Sequence, residues 1–391
     1  MRRIIIILFL FFTFSSLFGQ TSKNFKWYNT RTYELYLAQD WDNLITIGKE
    51  AINAEIDFYY LRMRLGIAYY NKGEYRNAIP EFTKALNFYE DAPLSVEYLY
   101  YSYKFSGRTQ DANLLYGKHK LLLDARNVNN GFGFITGLYS EAGLKFISPS
   151  NQSVGALKYV HIGAFQQLGS RLSLYQGYMR ISRNFSDVEP SKYAQNEYYL
   201  KATMPISTGL QLMGSFHTQA VSSTNKYTNF AFMAGLVANT NLIDFSLNYG
   251  RAQFNFTTQQ QVALGAIVYP TPNQNIYLQS ILTYHIDGSL SNEKGNLIFF
   301  QKIGVKLAQR TWFDVYGSFG DMKNAQDMDG FYQYNLIDHL VMRLGATGTY
   351  YIGNRTKLLL GYTFESLEVI DTNFPYKQHY MFAGLQISLK K

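Results

Sequence analysis

Six histidines are where acid–base or metal chemistry would begin, and their spacing argues against both. His119, His161, His217, His285, His339 and His379 are scattered, with no pair at the helical spacing of a metal site. Asp338 precedes His339, but neighbours in a strand point to opposite faces, so the two make no dyad. Ser280 and His285 fall on opposite faces of one strand and belong to no nucleophile motif. Asp327-Met328-Asp329-Gly330 opens like a calcium loop but lacks the later ligand positions, so it reads as a turn in an outer loop. The chain has no cysteine, which removes disulfides, thiolate metal centres and an N-terminal lipid anchor. The expectation is therefore no catalytic, metal or cofactor-binding residue, and no enzyme. What remains is a set of ionisable groups inside apolar, alternating segments: Arg180, Glu197, Lys201, His285, Lys302, Lys306, Arg343, Lys357 and Glu365.

The elements that hold those groups are short amphipathic strands. In Tyr380 to Leu389, Met381, Ala383, Leu385, Ile387 and Leu389 share one face, while Tyr380, Gly384, Gln386 and Ser388 share the other. Leu358, Leu360, Tyr362 and Phe364 likewise oppose Lys357, Gly361, Thr363 and Glu365, and Leu340, Met342, Leu344 and Ala346 oppose Arg343, Thr347 and Thr349. About fourteen such strands (range 12–16) are expected after residue 128, joined alternately by tight turns such as Gly169-Ser170 and Gly353-Asn354 and by longer loops. This alternation is the signature of an antiparallel transmembrane β-barrel. The 34 Tyr and 29 Phe, 17% aromatic with Trp, fit its interfacial girdles. A charge facing lipid at mid-bilayer costs about 2–4 kcal/mol, so the nine groups are expected to face the lumen. Two readings of them stay open: a hydrogen-bonded network that fills the lumen, or the wall of a wet pore favouring anions. Residues 323–339 are long enough either to plug the lumen or to project as a loop.

Ahead of the barrel the pattern changes. Arg2 and Arg3, the apolar run Ile4 to Phe12 and the small residues to Gly19 read as a signal peptide over 1–19, the alternative being a retained anchor helix. Residues 20–127 then read as a periplasmic helical domain and 128–391 as the barrel, a two-domain α + β chain joined near Val128-Asn129-Asn130-Gly131. Trp41, Tyr75 and Thr109 are each 34 apart, as are Leu44, Ala78 and Ala112. In the middle repeat Leu65, Tyr69, Tyr75 and Phe82 supply bulk, Gly66, Ala78 and Ala85 allow close helix approach, and Gly73 ends a helix where a left-handed residue is cheap. Residues 21–126 carry 14 Lys/Arg against 13 Asp/Glu, and 127–391 carry 20 against 15, with no basic–aromatic cluster of the kind that binds nucleic acid.

The 34-residue period and the Leu65-Gly66, Tyr69, Gly73, Tyr75, Ala78, Phe82, Ala85 pattern resemble the tetratricopeptide repeat, an α-solenoid of helix pairs. Such a domain joined to a barrel resembles the YaiO-type outer-membrane proteins, and more distantly the polysaccharide-export porins, whose repeat arrays are longer. The resemblance implies the outer membrane of a Gram-negative bacterium, with outer-membrane lipid around the barrel. It also implies a periplasmic protein or peptide docked on residues 25–126, and an anchor or conduit role in envelope export, the exported glycan being a candidate cargo. A diffusion channel for small anionic solutes and a barrel enzyme acting on lipid or glycan are the alternatives.

Overall fold

The computed structural model describes residues 23–128, 134–148, 154–186, 192–254, 257–288, 295–327, 329–336, 338–370 and 372–389. The proposed leader, most of the 128–131 join and the tips of three long loops (149–153, 187–191, 289–294) lie outside them. Among the described residues seven helices come first: α1 (Phe25–Leu37), α2 (Trp41–Asn53), α3 (Tyr59–Asn71), α4 (Tyr75–Phe88), α5 (Pro93–Phe105), α6 (Thr109–Lys118) and α7 (Lys120–Ala125). None among the described residues is long and apolar enough to cross a membrane. Two compact units form, one ending at Tyr98 and the next beginning at Leu99, so the division falls inside α5 and ahead of the 127/128 boundary expected from the sequence.

In the first unit the helix ends follow local chemistry. The Asn24 and Asp40 side chains accept from the backbone N–H of Trp27 and Asn43, capping α1 and α2. Gly73, at φ +74°, ends α3. Leu44, Ala51, Leu61, Leu65 and Ala68 form one fully packed core. Gly66 lies against the Phe82 ring, where no Cβ fits without displacing it, and Phe82 in turn stacks on Tyr98 at 5.3 Å. Tyr69, Ala78 and Ala85 are buried, and Tyr75 meets Tyr70 edge-on at 5.2 Å. Arg62 holds Asp57 and Glu81 at 2.7 and 2.8 Å, and the hydrogen bond to Asp57 raises its already high pKa further.

The second unit is built on strands β1 (Ile135–Ser148), β2 (Leu157–Leu168), β3 (Leu172–Asn184), β4 (Lys192–Ser207), β5 (Leu210–Ser222), β6 (Lys226–Asn239), β7 (Ile243–Phe254), β8 (Thr257–Val268), β9 (Ile276–Asp287), β10 (Asn296–Ala308), β11 (Thr311–Phe319), β12 (Gln326–Asp327), β13 (Tyr332–Gln333), β14 (His339–Ile352), β15 (Thr356–Glu368) and β16 (Pro375–Ser388). Fourteen of them close an antiparallel barrel, each beside its neighbour in the chain, with β1 sealing against β16 and β11 pairing β14 across the inserted β12–β13 pair. Tight turns gather at one end, where Gly169, Gly209 and Gly353 take positive φ. Most of the longer connections lie at the other end, but the links Ser222 to Lys226 and Phe254 to Thr257 there are as short as turns.

Side chains divide as the period-2 pattern requires. Phe232, Leu264 and Leu360 are each 57% exposed on the outward face, while Glu197, Gln261, His285, Arg343 and Glu365 are buried in the lumen. An apolar exterior around a polar interior is the inverse of a water-soluble barrel. One strand departs from simple alternation. A bulge between Leu340 and Met342 in β14 turns Leu340 into the lumen, correcting the expectation that it shares the outward face of Met342 and Leu344.

Candidate functional site

The lumen is occupied by the chain's own residues 321–327 and 329–336. β11 ends at Phe319 and is followed by Gly320, whose φ of +113° suits glycine, and a Cβ there would strike the Leu297 carbonyl. Past it, Met322 and Ala325 join Ile298, Leu340 and Leu367 in a small apolar cluster that roots the segment. β12 and β13 pair as a hairpin through Gln326 with Gln333 and Asp327 with Tyr332. The tip turns at Asp329 and Gly330, with φ +59° and +80°. The Asp327-to-Gly330 stretch is therefore a turn, but it sits inside the lumen rather than in an outer loop; Met328 lies outside the described residues.

Two walls hold this hairpin. On β4 and β5, Lys201 Nζ is 2.5 Å from the Asp329 carboxylate, and the Tyr199 and Ser215 hydroxyls donate to the Asp329 carbonyl at 3.0 and 2.7 Å. His217 Nδ1 lies 3.0 Å from the Gly330 carbonyl and Nε2 2.8 Å from Glu197, so both ring nitrogens face acceptors. Phe331 packs among the rings of His161, Tyr175 and Tyr199 at 5.1, 6.3 and 5.2 Å. On β8 and β9, Gln261 clasps the Gln326 backbone, accepting from its N–H and donating to its carbonyl, both at 2.9 Å. His285 Nε2 meets the Lys323 carbonyl at 3.2 Å, and Asn324 donates to Asp287 at 3.2 Å.

A cationic centre faces the hairpin from β14. Arg343 Nη1 donates to the Tyr334 hydroxyl at 2.7 Å and lies 3.7 Å from Asp327, its Nε lies 3.6 Å from Glu365, and the Tyr316, Tyr332 and Tyr334 rings surround the guanidinium. Lys145 completes the set, 2.7 Å from Glu365. Beside it, Glu141 accepts from the hydroxyls of Tyr139 and Tyr159, and Tyr380 donates to Tyr159. His339 bonds Asp321 at 2.6 Å, while its neighbour Asp338 turns away to accept from Tyr376.

Space remains on both sides of the hairpin. A cavity of about 790 Å³ opens toward the turn end below Gln326 and Tyr332, and one of about 680 Å³ opens toward the loop end above Asn324 and Leu336. A narrower cavity of about 170 Å³ runs between the hairpin and β1–β4, lined by Tyr159, Glu197, Tyr334 and Arg343. It shares Arg343 and Tyr332 with the lower cavity and Asn335 and Leu336 with the upper, so it adjoins both. At the turn end α6 is tied to the rim. Asp111 accepts from the Gly209 N–H at 2.8 Å and from Arg108 at 2.6 Å, Gln110 donates to Ser173 at 2.7 Å, and Gln274 reaches the Ser106 carbonyl at 3.3 Å.

Of the nine groups anticipated from sequence, Glu197, Lys201, His285, Arg343 and Glu365 lie in the lumen and touch the hairpin or its anchors. Lys302 lies 4.0 Å from Asp314, Lys357 5.3 Å from the Tyr351 ring, and Lys306 on the same inward face nearer the turns. Arg180 is a correction. It points outward and is exposed, its guanidinium donating to Asn196 at 3.1 Å; the inward positions of β3 are Tyr175, Gly177, Met179, Ile181 and Arg183. The lipid penalty that argued for an inward Arg180 falls to about 0–1 kcal/mol near the interface, and Arg180 stands only four residues before Asn184, the loop end of β3. Glu141, His161, His217, Gln261 and Asp287 were missed, because their roles appear only once the hairpin is inside. The signals present were the length of the β11–β14 connection and its Asp-x-Asp-Gly turn. Among the described residues no His, Asp or Glu cluster is placed to hold a metal ion.

No family model matches this chain, and no curated protein matches it in sequence. Among solved structures it is similar to the Pseudomonas putida toluene transporter TodX, with 8% identity, 66% of this chain and 89% of that one covered, and a TM-score of 0.44. It is also similar to a bacterial polysaccharide outer membrane secretin, with 9% identity over 66% of this chain and 100% of that one and a TM-score of 0.42. The protein MamA aligns with 27% of this chain and 61% of its own at 24% identity, with a TM-score of 0.25.

Proposed function

We propose that this chain is an outer-membrane protein of a Gram-negative bacterium whose barrel is a conduit closed at rest by its own hairpin. Its helical repeats, residues 25–126, dock a periplasmic protein or peptide, and the whole serves export through the envelope. The observation that carries the reading is the 321–336 segment, bonded to two walls of a polar lumen with a cavity on either side. A mere anchor needs a filled interior; it does not need two vestibules with a narrow cavity adjoining both. The apolar exterior supports insertion in lipid.

A polar, sugar-like cargo fits the turn-end vestibule. Tyr139, Phe165, Tyr175 and Phe300 offer ring faces there, beside the amides of Asn248, Gln261 and Gln279. A glycan presents C–H faces to rings and hydroxyls to amides. Planar-bilayer recording tests the conduit. Intact protein should pass little current, and replacing residues 323–336 with a short Gly-Ser linker should give large, steady steps that added oligosaccharide reduces. A linker variant that conducts no better than the intact chain would end the proposal. Docking is tested by crosslinking through residues 25–126, which should recover a defined partner; an unchanged partner set after their deletion removes that part. A second reading, a diffusion channel for small anions, is favoured by Lys145, Arg183, Lys192 and Lys323 around the loop-end vestibule. The sign of the reversal potential in a salt gradient separates the two.

A further inference from the structure

The outward-facing Arg180 belongs to a one-sided distribution of charge. Among the described residues, the outward strand positions carry Lys158, Arg180, Lys226, Arg251 and Lys377 and one carboxylate, Glu368, at the end of β15, while Lys192, the first residue of β4, lines the loop-end vestibule at the rim. Every one lies in the loop-end half of its strand. The turn-end half of the outward face has no charged strand residue; Arg171, Arg310 and Arg355 at that end sit in the turns, beyond the strands. The basic positions also occupy one arc, running from β16 through β7. All five are exposed, and none is ion-paired with a described residue.

The densest point of the arc has the geometry of an anion seat. Arg180 pairs with Val160 across the β2–β3 ladder and Lys158 with Ser182, which puts Lys158 and Arg180 on diagonal positions of one face. Side chains so placed stand about 7–8 Å apart at the backbone and reach a common point. Arg180 spends one N–H on Asn196, whose side-chain oxygen also accepts from Tyr178, and the exposed guanidinium keeps further donors for a ligand. Five unpaired cations at the rim of an apolar belt need counter-ions, and a membrane surface supplies them as headgroup phosphates.

We infer that this arc, centred on Lys158 and Arg180, binds the phosphate groups of a phosphorylated lipid in the leaflet at the loop end. The inference rests on the reading of the barrel as membrane-spanning, and adds a site with a preferred headgroup chemistry. Binding should weaken with ionic strength, because the contacts are exposed. Each cation near an anionic surface contributes roughly a fivefold factor in affinity, so removing the pair should cost about thirtyfold.

The test titrates fluorescent diphosphorylated lipid A onto the full-length protein in zwitterionic detergent, with the dephosphorylated lipid as competitor. The intact chain should prefer the diphosphorylated form, and the Lys158→Gln/Arg180→Gln double variant should lose that preference about thirtyfold. A Lys302→Gln variant, altered in the lumen, should keep it. Equal binding of the two lipids by the intact chain, or an unchanged preference in the double variant, overturns the inference. Reconstitution into phosphatidylethanolamine vesicles and alkaline extraction tell which claim has failed: protein retained in the vesicles without headgroup preference sinks only this site, whereas protein released from them sinks the membrane reading as well.

Discussion

Substituting Gln261 by Met should turn the closed lumen into one that opens often. Gln261 makes both of its hydrogen bonds to the hairpin to the backbone of Gln326, at 2.9 Å each. Methionine has the same unbranched length and fills the same space, but it offers neither a good donor nor a good acceptor. The closed state then buries an N–H and a carbonyl of Gln326 with no partner, at about 1–3 kcal/mol apiece. The low end, about 2 kcal/mol in all, applies if vestibule water replaces part of the loss. The strand ladder of β8 is untouched, because the backbone pairs of Gln261 with Gly250 and His285 do not involve the side chain. The open population should therefore rise roughly thirtyfold or more, at tenfold per 1.4 kcal/mol. Single-channel recording reads this directly as open probability. Gln279→Met is the matched control, since Gln279 lines the same vestibule and, among the described residues, makes no hydrogen bond to the hairpin. If Gln261→Met opens no more often than Gln279→Met, the hairpin is a fixed filling and the gating argument is wrong.

Three further outcomes are expected. Glu365→Gln removes the carboxylate facing Lys145 and Arg343 in the lumen and should destabilise the barrel by about 3–5 kcal/mol, read as an earlier heat or urea transition of the folded band on gels. An unchanged transition would mean that Asp327, 3.7 Å from Arg343, already suffices as its partner. Gly66→Val drives a branched side chain into the Phe82 ring and should cost about 1–3 kcal/mol, seen as faster hydrogen exchange across α3 and α4 with the barrel unaffected. The third concerns pH. Hydrogen bonds from Lys120 and Tyr116 hold the Asp124 carboxyl below its usual range, so its contribution is present above the ordinary aspartate pKa and is lost as pH falls through the depressed one. Exchange in residues 116–126 should accelerate only in that acid window, and an Asp124→Asn chain should show no such step.

The amino-acid sequence by itself bounded the strand number at roughly 12–16, and only the closed sheet sets it at fourteen. It determined which segments form the barrel wall and, outside the bulge in β14, which two sets of side chains oppose one another in each. It did so because alternation is a local property: Met381 to Leu389 split into two faces wherever β16 lies. It also carried the small and large residues that pack α3 against α4, since Gly66 and Phe82 fall on one helix pair. Local order could not decide matters that depend on position along the strand or on distant partners. β3 carries one arginine on each face, so only its placement in the barrel sends Arg183 inward and Arg180 out. A single bulge reverses Leu340, and nothing in the flanking residues announces it. The destination of residues 321–336 depends on Gln261, Lys201 and His217, more than sixty residues away in the chain. Bonds of that range exist only once the barrel has closed and enclosed a polar interior that the hairpin can satisfy.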